Sequence, residues 1–280
     1  MKNILLILFF CVGFNVNGQV PDLLLASKQQ SAVPADPILS IPNITAYWKR
    51  EGIDASATAQ GNNVNTWTDE VAGRVLTKVG ATQPTLNIAS GKREVAFNGN
   101  SGMDIPEFAG IDPAGRTNAY TIIAKVGNIT GTGTLIGKQT NSTDNVQYQI
   151  AYRNTGTGEL GQNVGSLIDG ANVNNFFARG YTAAGTLVAN KVISFTVGTA
   201  NNTDTVLYYD NEIVTPTLFN NPSQLTIGTI TNNHPMMVGS RRNNADTSIG
   251  YSFTGSISHI LVFSKKLTAG EIATIVSNLD

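Results

Sequence analysis

Two acids stand side by side next to a tryptophan in the stretch Asn65-Thr66-Trp67-Thr68-Asp69-Glu70. A carboxylate pair beside an aromatic ring is the equipment of glycoside cleavage, where a retaining site holds its two acids about 5.5 Å apart across the bond. Adjacent residues of a strand point to opposite faces, so an extended Asp69 and Glu70 cannot face one bond. The expectation is instead a strand running into a turn, with Trp67 in the core, as Trp48 is, and the two acids as turn caps. His234 and His259 are the only histidines. Neither sits in a motif of the kind a Ser-His-Asp triad requires, and two are too few for a His-rich metal site. His259 shares alternation with Ile257 and Leu261 and reads as a packed or edge residue.

Calcium, which takes oxygen ligands, is the metal these residues could serve. Three polar loops offer Asp144, Asp204 and Asp246 as candidate ligands, although none has the spacing of a defined calcium loop. The last of these loops, Arg241-Arg242-Asn243-Asn244-Ala245-Asp246, concentrates donors suited to sugar hydroxyls and carboxylates. Arg241, Asn243, Asn244 and Asp246 are the expected ligand contacts, and no catalytic residue is expected.

Such loops need a rigid frame, and the chain reads as strands from Thr45 onward. In "AYTIIAKVG" Tyr120, Ile122, Ala124 and Val126 fall on one face at the two-residue period of a pleated strand. "VQYQIAYR" repeats the pattern with Val146, Tyr148, Ile150 and Tyr152. Asp210-Asn211 between "TVLYY" and "EIV" predicts a tight hairpin turn, since both residues tolerate positive φ. Many short strands separated by Gly, Asn and Thr indicate a sandwich or barrel. Near the end, Thr268 and Glu271 have capping-box spacing, and Ile272, Ile275, Val276 and Leu279 follow at helical spacing. A short C-terminal helix packed on the sandwich is expected there.

The first residues look different. A basic start, a short apolar run and Gly18 predict a signal peptide over 1–18. The run is shorter than the ~20 residues that span a bilayer, so no membrane span is expected in the mature chain. Cys11, the only cysteine, lies inside it, which leaves no thiol for a disulfide, a metal or a nucleophile. Residues 19–44 carry four of the ten prolines and read as an extended arm or linker. The formal charge of −1, from 18 basic and 19 acidic residues, excludes the basic stripe of nucleic-acid binders. Charged residues make up 13%, about half the usual share, and the resulting neutral, hydrogen-bonding surface suits sugars. Asn43, Asn128, Asn141 and Asn201 each begin an N-glycosylation pattern.

Taken in order, these pieces resemble a family. Ala46-Tyr47-Trp48, "NNVNTWTDEVAG", "EVAFNGNSGMDI", "TLIGK" and "YSFTGSISHILVFSKKLTAGEIATIVSNL" are similar to the laminin-G-like, concanavalin-A-like lectin/glucanase superfamily, in its secreted bacterial form. The resemblance covers residues 45–280. It implies an all-β domain, a two-sheet antiparallel jelly-roll sandwich, with a concave sheet and rim loops. The glucanase branch carries Glu-x-Asp-x-x-Glu on one strand, which this chain lacks. Asn98 stands where the family usually has Asp, and His259 where an acid is common. The resemblance therefore implies a secreted or cell-surface recognition domain for a glycan or cell-surface protein, not an enzyme. A structural part in an extracellular or viral assembly is the alternative, and a glycoside hydrolase is disfavoured.

Overall fold

The computed structural model describes residues 36–106, 119–131, 133–139, 146–153, 159–165, 176–182, 190–198, 205–213, 217–218, 235–242 and 249–279. In chain order the first strands are β1 (Ile44–Ile53), β2 (Thr66–Asp69), β3 (Val75–Val79), β4 (Thr85–Ala89), β5 (Lys92–Asn98) and β6 (Gly102–Ile105). Then come β7 (Tyr120–Gly131), β8 (Gly133–Gln139), β9 (Val146–Arg153), β10 (Glu159–Gly165), β11 (Phe176–Thr182) and β12 (Lys191–Val197). Shorter strands follow: β13 (Thr205–Tyr209), β14 (Glu212–Ile213), β15 (Thr217–Leu218), β16 (Met236–Val238), β17 (Arg241–Arg242) and β18 (Ile249–Gly250). The chain closes with β19 (Thr254–Phe263) and helix α1 (Ala269–Asn278).

Strand β19 organises one sheet. Its second half pairs with β1 and its first half with β5, which also pairs with β4. Its other edge pairs with β7, followed by β12, β13 and β14. The opposite sheet runs β2, β3, β6, β16, β8, β9, β10, β11, β15. Strand β1 pairs with both β19 and β2, so it carries the hydrogen-bonded network from one sheet to the other. All these pairs are antiparallel, and the result is an all-β jelly-roll sandwich.

The inter-sheet core explains the alternation in the sequence. Tyr120, Ile122, Ala124 and Val126 of β7 all lie in it, facing Trp67, Leu76, Met103 and Ile136 from the other sheet. Ile123, on the opposite face of β7, is buried as well, because a second apolar layer covers this sheet from outside. That layer is α1. Thr268 Oγ1 accepts from the Glu271 amide at 3.3 Å and Glu271 Oε2 accepts from the Thr268 amide at 2.9 Å, the reciprocal capping box. Ile272, Ile275 and Leu279 then pack onto Tyr47, Ile123, Leu261 and Phe263. Ile38 and Ile41, which fall within the segment expected to be an arm, are buried in the same layer.

Local turn chemistry holds where it can be seen. Asp210 has φ 56° between β13 and β14, as the predicted hairpin requires. The strand expected over residues 146–153 is β9. Alternation breaks within β19. The β19–β7 register shifts between Ile257 and His259, so Ile257 joins Ile260 and Val262 in the inter-sheet core while His259 turns outward. There it stacks on Tyr47 with ring centroids 6.1 Å apart, at 5% exposure. His259 is packed, but a bulge places it on the face opposite Ile257, because one extra residue flips every later side chain.

Candidate functional site

The acid pair of the opening stretch is split by the fold. Trp67 is fully buried, and its Nε1–H donates to the Lys49 carbonyl at 2.8 Å. Trp48 is equally buried. Asp69, 3% exposed, accepts from the amides of Tyr47 at 2.7 Å and Val71 at 2.9 Å through Oδ1. Its Oδ2 accepts from the Ala72 amide at 3.0 Å and from the Arg74 guanidinium at 3.3 Å. Asp69 thus ties the start of β1 to the β2–β3 turn. Glu70 lies outside and pairs with Lys49 at 2.9 Å. The two carboxylates do different structural work and face no common bond.

The expected ligand loop is described only at its base. Arg241 lies in β17, which pairs with β18, Arg241 opposite Gly250 and Arg242 opposite Ile249. Asn243, Asn244 and Asp246 fall outside the described residues. The base is anchored by a contact the sequence reading missed. Met103 and Ile105 belong to the core, so the pleat turns Asp104 to the outer face of its sheet. Arg242 Nη2 donates to Asp104 Oδ2 there, across 138 positions of sequence. Burial raises the Asp104 carboxyl above its ordinary range, and the Arg242 charge and hydrogen bond pull it back. The only signal for this pair was an acid at the outward parity of an otherwise apolar strand.

Arg241 is placed differently from its neighbour. Its guanidinium lies 5.1 Å from the centre of the Tyr251 ring, and Tyr251 is 36% exposed. Tyr251 itself has φ 47°, an uncommon backbone state for a bulky residue. A half-buried cation over an exposed aromatic ring places a guanidinium and an apolar face side by side.

The candidate calcium ligands Asp144, Asp204 and Asp246 fall outside the described residues, as does His234. Among the described residues no group of three or more His, Cys, Asp or Glu is placed to hold a metal. Burial, reinforced by the positive charges of Arg50, Lys125, Lys49 and Lys92, pushes the His259 pKa down to about 3, which favours the neutral ring near pH 7.

No family model and no curated protein matches the chain. Solved structures do. The chain is similar to the binding domain of Paraclostridial mosquitocidal protein 1 at 10% identity, over 84% of this chain and 52% of that one, with a TM-score of 0.56. It is similar to the botulinum neurotoxin serotype G binding domain at 11% identity, over 84% and 51%, with a TM-score of 0.56. The binding domain of botulinum neurotoxin DC, solved with rat synaptotagmin II, matches at 10% identity over 85% and 52%, with a TM-score of 0.53. The chain spans about half the length of these toxin domains. At such identities the likeness is one of fold, an all-β sandwich that those proteins use for binding.

Proposed function

We propose that this chain is a secreted, non-catalytic recognition domain of the laminin-G-like, concanavalin-A-like type, which binds a glycan at the rim formed by the Arg241–Tyr251 hairpin. The observation that carries the reading is the Arg241 guanidinium held over the exposed Tyr251 ring, while Arg242 beside it is tied to Asp104. On this reading Arg242 anchors the hairpin, and Arg241 with Tyr251 would meet the ligand. A guanidinium fork binds carboxylate or paired hydroxyls, and an aromatic ring takes the apolar face of a sugar. Asn243, Asn244 and Asp246 would complete the contacts from the loop beyond, and calcium would enter through Asp144, Asp204 or Asp246.

The sandwich of the toxin binding domains supports a binding role, as does the splitting of the one adjacent acid pair into two structural contacts. The signal peptide over 1–18 is the basis for placing the protein outside the cell or on its surface. Among the described residues no helix is long and apolar enough to cross a membrane.

The test is a glycan array probed with the purified full chain, with and without a calcium chelator, alongside Arg241→Ala. Retention of a defined glycan set that Arg241→Ala loses supports the proposal. Retention that is indifferent to Arg241→Ala overturns the assignment of the site, and the absence of any glycan binding overturns the function.

A further inference from the structure

A second site lies on the outer face of the other sheet. Val95 and Phe97 of β5 belong to the inter-sheet core, so the pleat sends Glu94 and Ala96 to the outer face. Ser256 of β19 is paired with Ala96 on one side and Asn128 of β7 on the other, and all three share that face. Around them opens a pocket of about 210 Å³. Its walls are Asn87, Asn128, Thr130, Thr254 and Ser256, and its floor includes Ala96 and Gly255, which carry little or no side chain. The volume lies below the roughly 300–1,000 Å³ of pockets for drug-sized ligands, which suits a single small ring.

The pocket's polar groups are oriented from behind by Glu94. This carboxylate is 1% exposed. Its Oε2 accepts from Ser256 Oγ at 2.6 Å and from Asn87 Nδ2 at 2.9 Å. Gly127 leaves the space it needs, since a Cβ at that position would overlap both carboxylate oxygens. With its proton committed to Glu94, the Ser256 hydroxyl presents only lone pairs to the pocket. Asn87 is held at its other end as well, where Oδ1 accepts from Gln60 Nε2 at 3.1 Å. Thr130 Oγ1 donates to the Thr254 carbonyl at 3.3 Å, which likewise turns its lone pairs outward. Asn128, exposed at the rim, supplies amide donors.

We propose that this pocket is a binding site for one neutral, hydroxyl-rich ring, a hexose unit, whose hydroxyls donate to Ser256 and Thr130 and accept from Asn128. The polarised acceptors call for a ligand rich in donors. Among the described residues no cationic side chain lines the pocket, and the side chain behind it is the acid Glu94, so nothing there pairs with the carboxylate of an acidic sugar. The site is independent of the hairpin rim, where Arg241 favours the opposite charge.

The experiment is a titration of the full chain with neutral hexoses and with a uronic acid, each followed by the NMR shifts of the pocket residues Asn128, Thr130 and Ser256, so that a sugar bound at the hairpin rim is not counted. The protein is made in a host without N-glycosylation, because Asn128 begins a glycosylation pattern. Saturable binding of at least one neutral hexose, with a Kd on the order of 1 mM, and at least tenfold weaker binding of the uronic acid is expected. Asn128→Ala should weaken the hexose about tenfold, and Thr130→Trp, which fills the pocket from an exposed position, should abolish binding with an unchanged melting curve. Absence of neutral-hexose binding at the pocket, binding that survives Thr130→Trp, or preference of the pocket for the uronic acid would each overturn the proposal. Because the rim reading is judged by Arg241→Ala on the array, the two proposals can fail separately.

Discussion

Asp69 and Glu94 are both carboxylates sealed from solvent, at 3% and 1% exposure, yet their partners differ in kind. Asp69 spends both oxygens on the backbone amides of Tyr47, Val71 and Ala72 and on the Arg74 guanidinium. Each of those donors belongs to the fold, and none lines the pocket behind which Glu94 lies. Glu94 receives its bonds on one oxygen from Ser256 and Asn87, side chains that line an open pocket. Burial of an acid therefore does not mark a site. Where its donors lead does: to the backbone for a structural tie, to pocket walls for a group that prepares a surface.

Amide substitution separates the two most sharply. Asp69→Asn would place an NH2 group against donors whichever way the side chain turns, because both oxygens already accept. The expected cost is about 3 kcal/mol, from at least one buried N–H left unsatisfied plus a lost charged contact, read as a lower denaturation midpoint with unchanged m-value. A strand-end cap read from sequence alone would tolerate the amide, and the geometry does not. If Asp69→Asn melts like the parent chain, the contrast between the two acids collapses.

A pH scan extends the comparison to another buried titratable group. His259 is held neutral, its pKa pushed from 6.5 to about 3 by burial first and by the surrounding cations second. The unfolded chain takes up a proton below about pH 6.5 that the folded chain refuses, so stability falls as pH drops from about 6.5 toward 3. Its share is up to ~1.4 kcal/mol per pH unit in that window. His259→Gln should flatten the slope of the urea midpoint against pH. An unchanged slope would mean that the ring is charged in the folded protein, and that the packing against Tyr47 has been misjudged.

Much of this frame was legible in the sequence, and the limits are physical. The core face of β7, the Asp210 turn and the Thr268–Glu271 cap depend on neighbours a few residues apart, so spacing alone reveals them. His259 is packed as expected, but the bulge that turns it away from Ile257 is invisible to alternation. The Asp104–Arg242 pair and the Glu94–Ser256–Asn87 cluster depend on register between strands 138 and 162 positions apart, which no local pattern carries. Gly127 shows the same gap, since it reads as a gap in an apolar strand until β5 is laid beside β7 through β19.

That glycine gives the next test. Gly127→Ala pushes a methyl into the Glu94 carboxylate and should cost about 1 to 3 kcal/mol, as overpacking does. In a Glu94→Ala background the same change should cost much less, because the clashing atoms are gone. Equal costs in the two backgrounds would show that Gly127 is needed for its backbone and not for the acid. Glu94→Gln should come next, at about 1 kcal/mol, since one oxygen can go on accepting from Ser256 and Asn87. It should also relax the discrimination against a uronic acid, whereas Asp69→Asn should not alter sugar preference in protein that remains folded.

The smallest effect on stability belongs to Arg241. Its side chain is half-buried against Tyr251, and cation–π contacts at accessible positions are worth about 0.5 to 1 kcal/mol. Substitution away from the core usually shifts stability by less than about 0.5 kcal/mol. Arg241→Ala should therefore melt within about 1 °C to 4 °C of the parent chain, given the midpoint shift expected per kcal/mol for a domain of this size, while losing glycan retention on the array. Arg242→Ala is the matched control. It strips Asp104 of a partner already buried on the sheet, and leaving a buried carboxylate unpaired is costly. It should therefore cost more stability than Arg241→Ala. The crossed result, with Arg241→Ala destabilising and Arg242→Ala abolishing binding in a well-folded protein, would exchange the two arginines. The anchor would then be the stacked residue, and the ligand would meet the hairpin on the side of Asp104.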